Sequence, residues 1–198
     1  MALSIANITL ELREILLKDR PNSLYDISPK GTVPVLQTQE KIIDESMDII
    51  YWAMDNFVNS EKYLTNLNLQ KDLIHQNDTE FKMWLDRYKY NERYDDFSLN
   101  ECKSNCKKII DQFENNLNEF SYLSGDTLSM VDVSIFPFIR QYSFVDINYF
   151  SNTFPNTTNW LNRQLNSNLF KSVMKKYPQW KIGDEPKIIN FNSELIEA

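Results

Sequence analysis

The stretch between residues 27 and 46 restricts the fold of this chain more than any other part of its sequence. The run Val33-Pro34-Val35 predicts the entry to a short strand, because a proline lacks a backbone N–H and therefore suits a strand entry or edge. The bond before such a proline is also a candidate for the cis isomer. A tight connection and a second strand lead to Asp44-Glu45-Ser46, a helix N-terminus that can hold an anion. The residues alone leave this stretch open between a structural element and a ligand site.

Composition and charge narrow the class of protein. The 198 residues are 42% hydrophobic, which is enough for one large domain or two small ones. The net charge of −7 disfavours binding to nucleic-acid phosphates, and no apolar run approaches the roughly 18–20 residues that cross a bilayer. The sequence therefore predicts a soluble cytoplasmic protein that binds neither nucleic acid nor a membrane. Its single histidine, His75, excludes a multi-histidine metal site, and we expect no metal.

The hydrophobic periodicity changes along the chain and divides it into two parts. Everything after the polar stretch 59–66 reads as helical, so we assign a small α/β domain to residues 1–59 and an all-helical domain to residues 67–198. The elements predicted for the first domain are a helix end at 1–7 closed by Asn7, a strand at 8–17, a helix at 21–27, strands at 35–37 and 41–43, and a helix capped by Asp44. Those predicted for the second are helices at 67–94, at 99–120, from Ser129, after Pro155 and at 169–177, with a tail from Pro178.

Two patterns in the helical part look like chemical sites but are assigned structural roles. Ser129-Met130-Val131-Asp132 fits the acidic variant of a capping box, so we predict that Ser129 and Asp132 cap a helix and do not catalyse. Cys102 and Cys106 lie four residues apart beside lysines, and two ligands do not make a zinc site. We predict that both are structural or incidental thiols, and the neighbouring lysines suggest that they lie on a solvated helix face.

Three motifs in this chain resemble those of a known family. Ser28-Pro29-Lys30-Gly31-Thr32-Val33-Pro34-Val35-Leu36, followed by Asp44-Glu45-Ser46, resembles the glutathione-binding half of a glutathione S-transferase, closest to the omega-like bacterial branch. The run 123–132 resembles the capping motif of that family's helical domain, and the run 87–94 resembles a segment of the bacterial branch. The resemblance implies an α/β plus all-α fold, with a thioredoxin-like N-terminal domain followed by a glutathione S-transferase C-terminal helical domain.

The resemblance also implies a glutathione site. In the family the proline that matches Pro34 is cis, which leaves the backbone of Val33 open to the cysteinyl part of glutathione as an added strand. The amides and hydroxyl at Ser46 suit the γ-glutamyl carboxylate. The carboxylate of Glu45 suits the γ-glutamyl ammonium.

The other implied contacts are less specific. Arg20 matches the basic position that meets the glycine carboxylate of glutathione, and Lys30 is a weaker candidate for the same task. Trp84, Tyr88 and Tyr94 are core residues by default, with the alternative that some of them line an apolar co-substrate pocket.

One departure from the family concerns the catalytic residue. Members carry a thiol-activating residue between the first strand and the first helix, but Met1-Ala2-Leu3 aligns inside that helix. The resemblance therefore implies an N-terminally truncated chain that lacks the first strand, the start of the first helix and the catalytic residue. A start codon set too far downstream is the favoured explanation, beside a gene fragment and a shortened chain with a new role. Without that strand, residues 10–16 are expected to lack one of their sheet neighbours and to expose unpaired backbone groups, and the first domain is expected to fold poorly.

These observations predict a glutathione S-transferase-like protein that binds glutathione and an electrophilic or disulfide co-substrate. In its complete form it would catalyse glutathione transfer or thiol–disulfide exchange, and the family implies a homodimer. Whether this chain is itself an enzyme stays open, because no catalytic residue is identified. The alternative is a non-catalytic glutathione-binding or protein-interaction module that lacks the activating residue.

Overall fold

The structure is a computed structural model of the chain and describes residues 1–191. The chain forms two compact units, one of residues 1–60 with 167–191 and one of residues 61–166. The predicted helical domain 67–198 includes the segment from residue 167, which by packing belongs with the first unit, and residues 192–198 lie outside the described residues.

The first unit contains two short antiparallel sheets and a few helices. Its elements are α1 (Ala2–Ile5), β1 (Leu10–Glu11), α2 (Asn22–Ile27), β2 (Leu36–Gln37), β3 (Ile42–Ile43), α3 (Ser46–Asp55), α10 (Asn168–Val173) and β4 (Ile188–Ile189). Strand β1 pairs with β4, with Leu10 opposite Ile189. Strand β2 pairs with β3, with Leu36 opposite Ile43.

The start of the chain differs from its prediction in the length of one strand. Asn7 has a φ of 56° and closes α1 in the left-handed conformation, as predicted. Of the strand predicted over 8–17, the structure forms only β1, because its pairing with β4 covers just two residues of each strand. Among the described residues, strand β1 has β4 as its one partner in a two-stranded sheet, so the expectation that one sheet neighbour is missing here is not contradicted. The segment from Pro178 is not a simple tail, since it supplies β4.

The β2–β3 hairpin agrees with its prediction and leads directly into α3. The Thr38 hydroxyl closes the hairpin by donating to the carbonyl of Lys41 and accepting from its amide, each at 3.0 Å. Helix α3 then buries Ile49, Ala53 and Met54 in the core of the unit.

The second unit is helical throughout its described elements. They are α4 (Leu67–Gln76), α5 (Lys82–Lys89), α6 (Leu99–Glu119), α7 (Met130–Ser143), α8 (Ile147–Thr153) and α9 (Pro155–Asn166), with short 3₁₀ turns at Ser60–Tyr63 and Asn91–Arg93. The long helix predicted over 67–94 is α4 and α5 joined by a π-helical turn, Asn77–Phe81, and it ends at Lys89. No helix among the described residues is long and apolar enough to cross a membrane.

The two cysteines are in the core of the second unit, so the prediction of a solvated face is wrong. Both side chains have 0% exposure. They belong to the apolar stripe of α6, which continues through Ile109, Phe113 and Leu117 at helical spacing. The neighbouring lysines lie on the adjacent face of α6, where Lys107 pairs with Asp111. Burial raises the pKa of both thiols, which makes them poor nucleophiles.

The capping box predicted at α7 is present and does more than cap the helix. The Asp132 carboxylate accepts hydrogen bonds from the Ser129 amide at 3.0 Å and from the Ser129 hydroxyl at 2.5 Å. It also accepts from the Leu123 amide at 3.0 Å and from Trp160 Nε1 at 2.8 Å. One buried carboxylate thus joins the preceding loop, α7 and α9.

Candidate functional site

The segment before β2 presents an open stretch of backbone. The Val33–Pro34 peptide bond is cis, as the resemblance implies. Val33 is 45% exposed, and within residues 1–191 its backbone N–H and C=O make no hydrogen bond. The segment is entered through a turn in which the Gly31 amide donates to the Ser28 carbonyl at 2.9 Å. The geometry therefore leaves a donor and an acceptor at Val33 available to an extended partner.

The start of α3 also has unpaired donors. Glu45 is the N-cap, with an extended backbone, and its side chain makes no capping hydrogen bond. Ser46 is the first helical residue and is exposed. The first amides of a helix have no partner within the helix, and in the described chain none is supplied to Ser46 or Met47 by another residue. This helix end can therefore receive a carboxylate.

Asp44 does not cap α3, although the sequence predicted that it would. Its carboxylate accepts a hydrogen bond from the Ser28 hydroxyl at 3.0 Å. That bond connects the loop before Val33 to the start of α3 across 16 residues of sequence. Ser28 is fully buried and was missed by sequence reasoning, since nothing local marks a serine whose partner lies that far along the chain.

Lys30 is paired with the carboxylates at the start of α3. Its Nζ lies 2.6 Å from Glu45 Oε1 and 3.5 Å from Asp44 Oδ2. The hydrogen bond to Glu45 and the attraction of Asp44 raise the pKa of Lys30, because both favour its charged ammonium form. The structure thus brings together Lys30, Glu45 and Ser46 of the predicted residues, with Val33 three positions after Lys30 in sequence.

Arg20 is not joined directly to the other predicted residues. Its side chain is exposed, and no hydrogen bond or ion pair in the described chain links it to Lys30, Val33 or Glu45. Its assignment to the glycine carboxylate stays a prediction.

The aromatic residues of the long helix have packing partners within the second unit. Tyr88 is buried, with its ring 5.4 Å from that of Tyr142. The ring of Trp84 lies 4.8 Å from that of Phe97, and the Tyr94 hydroxyl donates to the Asp86 carboxylate. Tyr88 is thus a core residue, whereas Trp84 and Tyr94 are half-buried, and the contacts of all three are made without a ligand. Among the described residues, no group of three or more histidine, cysteine or acidic side chains is placed to hold a metal ion.

Three solved glutathione S-transferase structures show the similarity of fold. BphK, a bacterial GST, in a ternary complex, is 19% identical with a TM-score of 0.72, covering 87% of this chain and 90% of that chain. Glutathione S-transferase-I bound with lactoylglutathione is 20% identical with a TM-score of 0.65, covering 87% and 90%. Glutathione S-transferase 1-6 from Anopheles dirus species B is 20% identical with a TM-score of 0.64, covering 82% and 80%. No curated protein matches the chain significantly.

Two family models match the chain in sequence order. The model for the glutathione S-transferase N-terminal domain matches residues 1–61, and the model for the C-terminal domain matches residues 72–168. The fold is accordingly a thioredoxin-like N-terminal domain followed by a helical C-terminal domain. Because these matches together span most of its 198 residues, the chain belongs to the glutathione S-transferase family.

Proposed function

We propose that the protein binds glutathione on its first unit, at Val33 and the start of α3. The observation that supports this most is that an unpaired backbone at Val33 and an unpaired helix N-terminus at Ser46 occur in one unit of a chain of this family. The cysteinyl part of glutathione pairs with the N–H and C=O of Val33 as an added strand.

The charged ends of glutathione have complementary groups nearby. The amides and hydroxyl at Ser46 receive the γ-glutamyl carboxylate, favoured by the positive end of the α3 dipole. Glu45 accepts a charge-assisted hydrogen bond from the γ-glutamyl ammonium. Arg20 supplies the cation for the glycine carboxylate. Lys30 is a weaker choice for that task, because two carboxylates already hold its ammonium.

Two activities fit this site within the omega-like bacterial branch. One is the transfer of glutathione to an electrophile, and the other is thiol–disulfide exchange with a disulfide co-substrate. In exchange of the cysteine type, a thiolate attacks one sulfur of a mixed disulfide, the other sulfur leaves as a thiolate, and glutathione resolves the new disulfide. We assign no catalytic residue, because Cys102 and Cys106 are buried thiols with raised pKa values.

The second candidate function is a non-catalytic glutathione-binding or protein-interaction module. The burial of both thiols favours it, since no cysteine in the 198 residues is then an accessible thiolate. Under either function we propose a cytoplasmic homodimer. We keep 1–59 and 67–198 as the limits of its two sequence domains, although residues 167–191 pack with the first unit.

The test is calorimetric titration of the chain with glutathione and of two site variants, Glu45→Gln and Ser46→Ala. Ser46→Ala removes a hydrogen bond to a carboxylate, worth about 1.5–3 kcal/mol, so it should weaken binding by about 10- to 100-fold. Glu45→Gln keeps an acceptor oxygen but loses its charge, so it should weaken binding by a smaller factor. Glu40→Gln is the matched control, because Glu40 is an exposed carboxylate on the β2–β3 connection and should leave affinity unchanged.

An assay of glutathione-dependent reduction of a mixed disulfide separates the two functions. Turnover by the chain supports the enzyme, and glutathione binding without turnover supports the module. Affinities that are the same in Glu45→Gln, Ser46→Ala and Glu40→Gln would contradict the proposed site.

A further inference from the structure

The ion pair of Lys30 lies on the carboxylate to which we assign the ligand's ammonium. Lys30 Nζ is 2.6 Å from Glu45 Oε1, so one carboxylate oxygen already has a charged donor. Asp44 is the second acceptor, at 3.5 Å, and its Oδ2 also accepts from the Ser28 hydroxyl at 3.0 Å.

Lysine ε-ammonium and the α-ammonium of a γ-glutamyl group are chemically alike. Each is a primary ammonium with one positive charge and three N–H donors. Both therefore suit the same position in front of a carboxylate. Lys30 and Glu45 are 53% and 62% exposed in their side chains, so the pair is accessible to an exchanging ligand.

We infer that Lys30 is a specificity-determining residue, an internal counter-ion at Glu45 that reduces the dependence of binding on the ligand's α-ammonium; this inference rests on the proposed glutathione site. A ligand with a free ammonium replaces the ammonium of Lys30, which keeps Asp44 as a partner. A ligand without one binds with the Lys30–Glu45 pair intact. The site therefore takes γ-glutamyl-type thiols, including those whose α-amino group is absent.

Removal of the Lys30 charge should act in opposite directions on these two ligands. With Lys30→Gln, no cation competes for Glu45, so glutathione should bind more tightly. The uncompensated Glu45 then repels the carboxylates of des-amino glutathione, in which the γ-glutamyl group is replaced by glutaryl, so that ligand should bind more weakly. An exposed ion pair is weak, so the ratio of the two affinities should rise by about 2- to 5-fold at low salt. The rise should shrink towards 1 M salt.

The experiment measures both ligands by calorimetry against the wild-type chain, Lys30→Gln and Lys41→Gln. Lys41 is an exposed lysine just before β3 with no ion pair among the described residues, so its variant makes the same change in net charge without changing the partner of Glu45. The affinity ratio should change in Lys30→Gln alone. Circular dichroism checks that both variants are folded.

Three outcomes are informative. A ratio that rises only in Lys30→Gln supports the inference, and a ratio equal in all three chains overturns it. Titration with γ-glutamylcysteine, which lacks the glycine, provides the third outcome. If Lys30→Gln weakens glutathione but leaves γ-glutamylcysteine unchanged, Lys30 binds the glycine carboxylate and the inference is overturned. Absence of glutathione binding to the wild-type chain would instead overturn the proposed function itself.

Discussion

Gly31 sets the path of the chain between Lys30 and Val33. Its φ is +62°, in the left-handed region that L-residues with a side chain adopt reluctantly. A Cβ placed on Gly31 would lie 2.3 Å from Cε1 of Tyr25, which is closer than two carbon atoms can approach. The turn that leads into the proposed site therefore depends on glycine for two separate reasons, one in the backbone and one in packing.

We expect Gly31→Ala to lower the free energy of unfolding by more than the roughly 1–2 kcal/mol of a left-handed residue, because Tyr25 must also move. Urea denaturation of Gly31→Ala in the wild-type chain and in a Tyr25→Ala background measures the two parts. The loss should be smaller in the second background, where only the backbone term remains. Equal losses in the two backgrounds would show that the contact with Tyr25 has no effect.

Sequence reasoning at this scale succeeded where the signal was local and failed where it was not. The closure of α1 by Asn7 follows from the residue's own tolerance of positive φ. The partner of Asp44 does not follow in this way, because an aspartate before a helix is a good cap by every local criterion. Only the fold brings the Ser28 hydroxyl to it from 16 positions away, and the cap position passes to Glu45.

The C-terminal segment of the first unit is attached along β1 and the residues that follow it. The Leu12 amide donates to the Lys187 carbonyl at 2.8 Å, and the Trp180 amide donates to the Glu14 carbonyl at 2.7 Å. The Arg13 guanidinium lies 4.7 Å from the centre of the Trp180 ring. These contacts give the edge of β1 a partner from the far end of the described chain, which reduces its exposure to other chains.

Two neighbouring isoleucines of β4 give a matched test of this attachment. Ile189 is 7% exposed and Ile188 is 61% exposed. Ile189→Ala should lower the free energy of unfolding by about 2 kcal/mol, the lower end for a buried isoleucine, since the strand has only two residues. Ile188→Ala should change it by less than about 0.5 kcal/mol.

Hydrogen exchange locates the effect of these two variants. The Leu12 amide follows β1 and donates a hydrogen bond to the Lys187 carbonyl. This amide should lose protection from exchange in Ile189→Ala and keep it in Ile188→Ala. Equal stability and equal protection in the two variants would mean that the segment does not support the first unit.

Element types were predictable from the sequence more often than element partners. The two β2–β3 strands, the α2 helix and the α6 helix follow from short-range periodicity and turn residues. The pairing of β1 with β4 could not be predicted in this way, because β4 is only two apolar residues close to a proline and a glycine, which is too short to show a periodic pattern. The burial of Cys102 and Cys106 was missed because the lysines beside them were given more weight than the apolar stripe of α6.

At the scale of the whole molecule, the family fold persists at 19–20% identity to BphK, to the lactoylglutathione-bound enzyme and to the Anopheles dirus enzyme. Few side chains are therefore shared with any one of these structures. What the sequence predicted of the fold was the order of its elements and the capping box, both of which are local patterns. The hydrogen bond from Trp160 to Asp132 joins residues that are distant in sequence, so only the structure reveals it.

The network around Asp132 makes a prediction that separates stability from function. Asp132→Ala removes the acceptor of the Leu123 amide, the Ser129 amide and hydroxyl, and Trp160 Nε1, all of them in buried residues. Each buried donor left without a partner lowers the free energy of unfolding by about 1–3 kcal/mol. We therefore expect a loss of about 3–5 kcal/mol in the free energy of unfolding, above the roughly 0.5–2 kcal/mol of a helix cap alone. Thermal and urea denaturation measure it.

The control for this variant is Asp126→Ala, an exposed aspartate in the loop before α7, which should change stability by less than about 0.5 kcal/mol. Glutathione affinity, measured at a temperature where Asp132→Ala is folded, should equal that of the wild-type chain, because every proposed glutathione contact lies within residues 20–46. A folded Asp132→Ala variant with greatly weakened glutathione binding would show that the carboxylate takes part in binding. A loss no greater than that of an isolated cap would show that the Leu123 and Trp160 donors find other acceptors once Asp132 is gone.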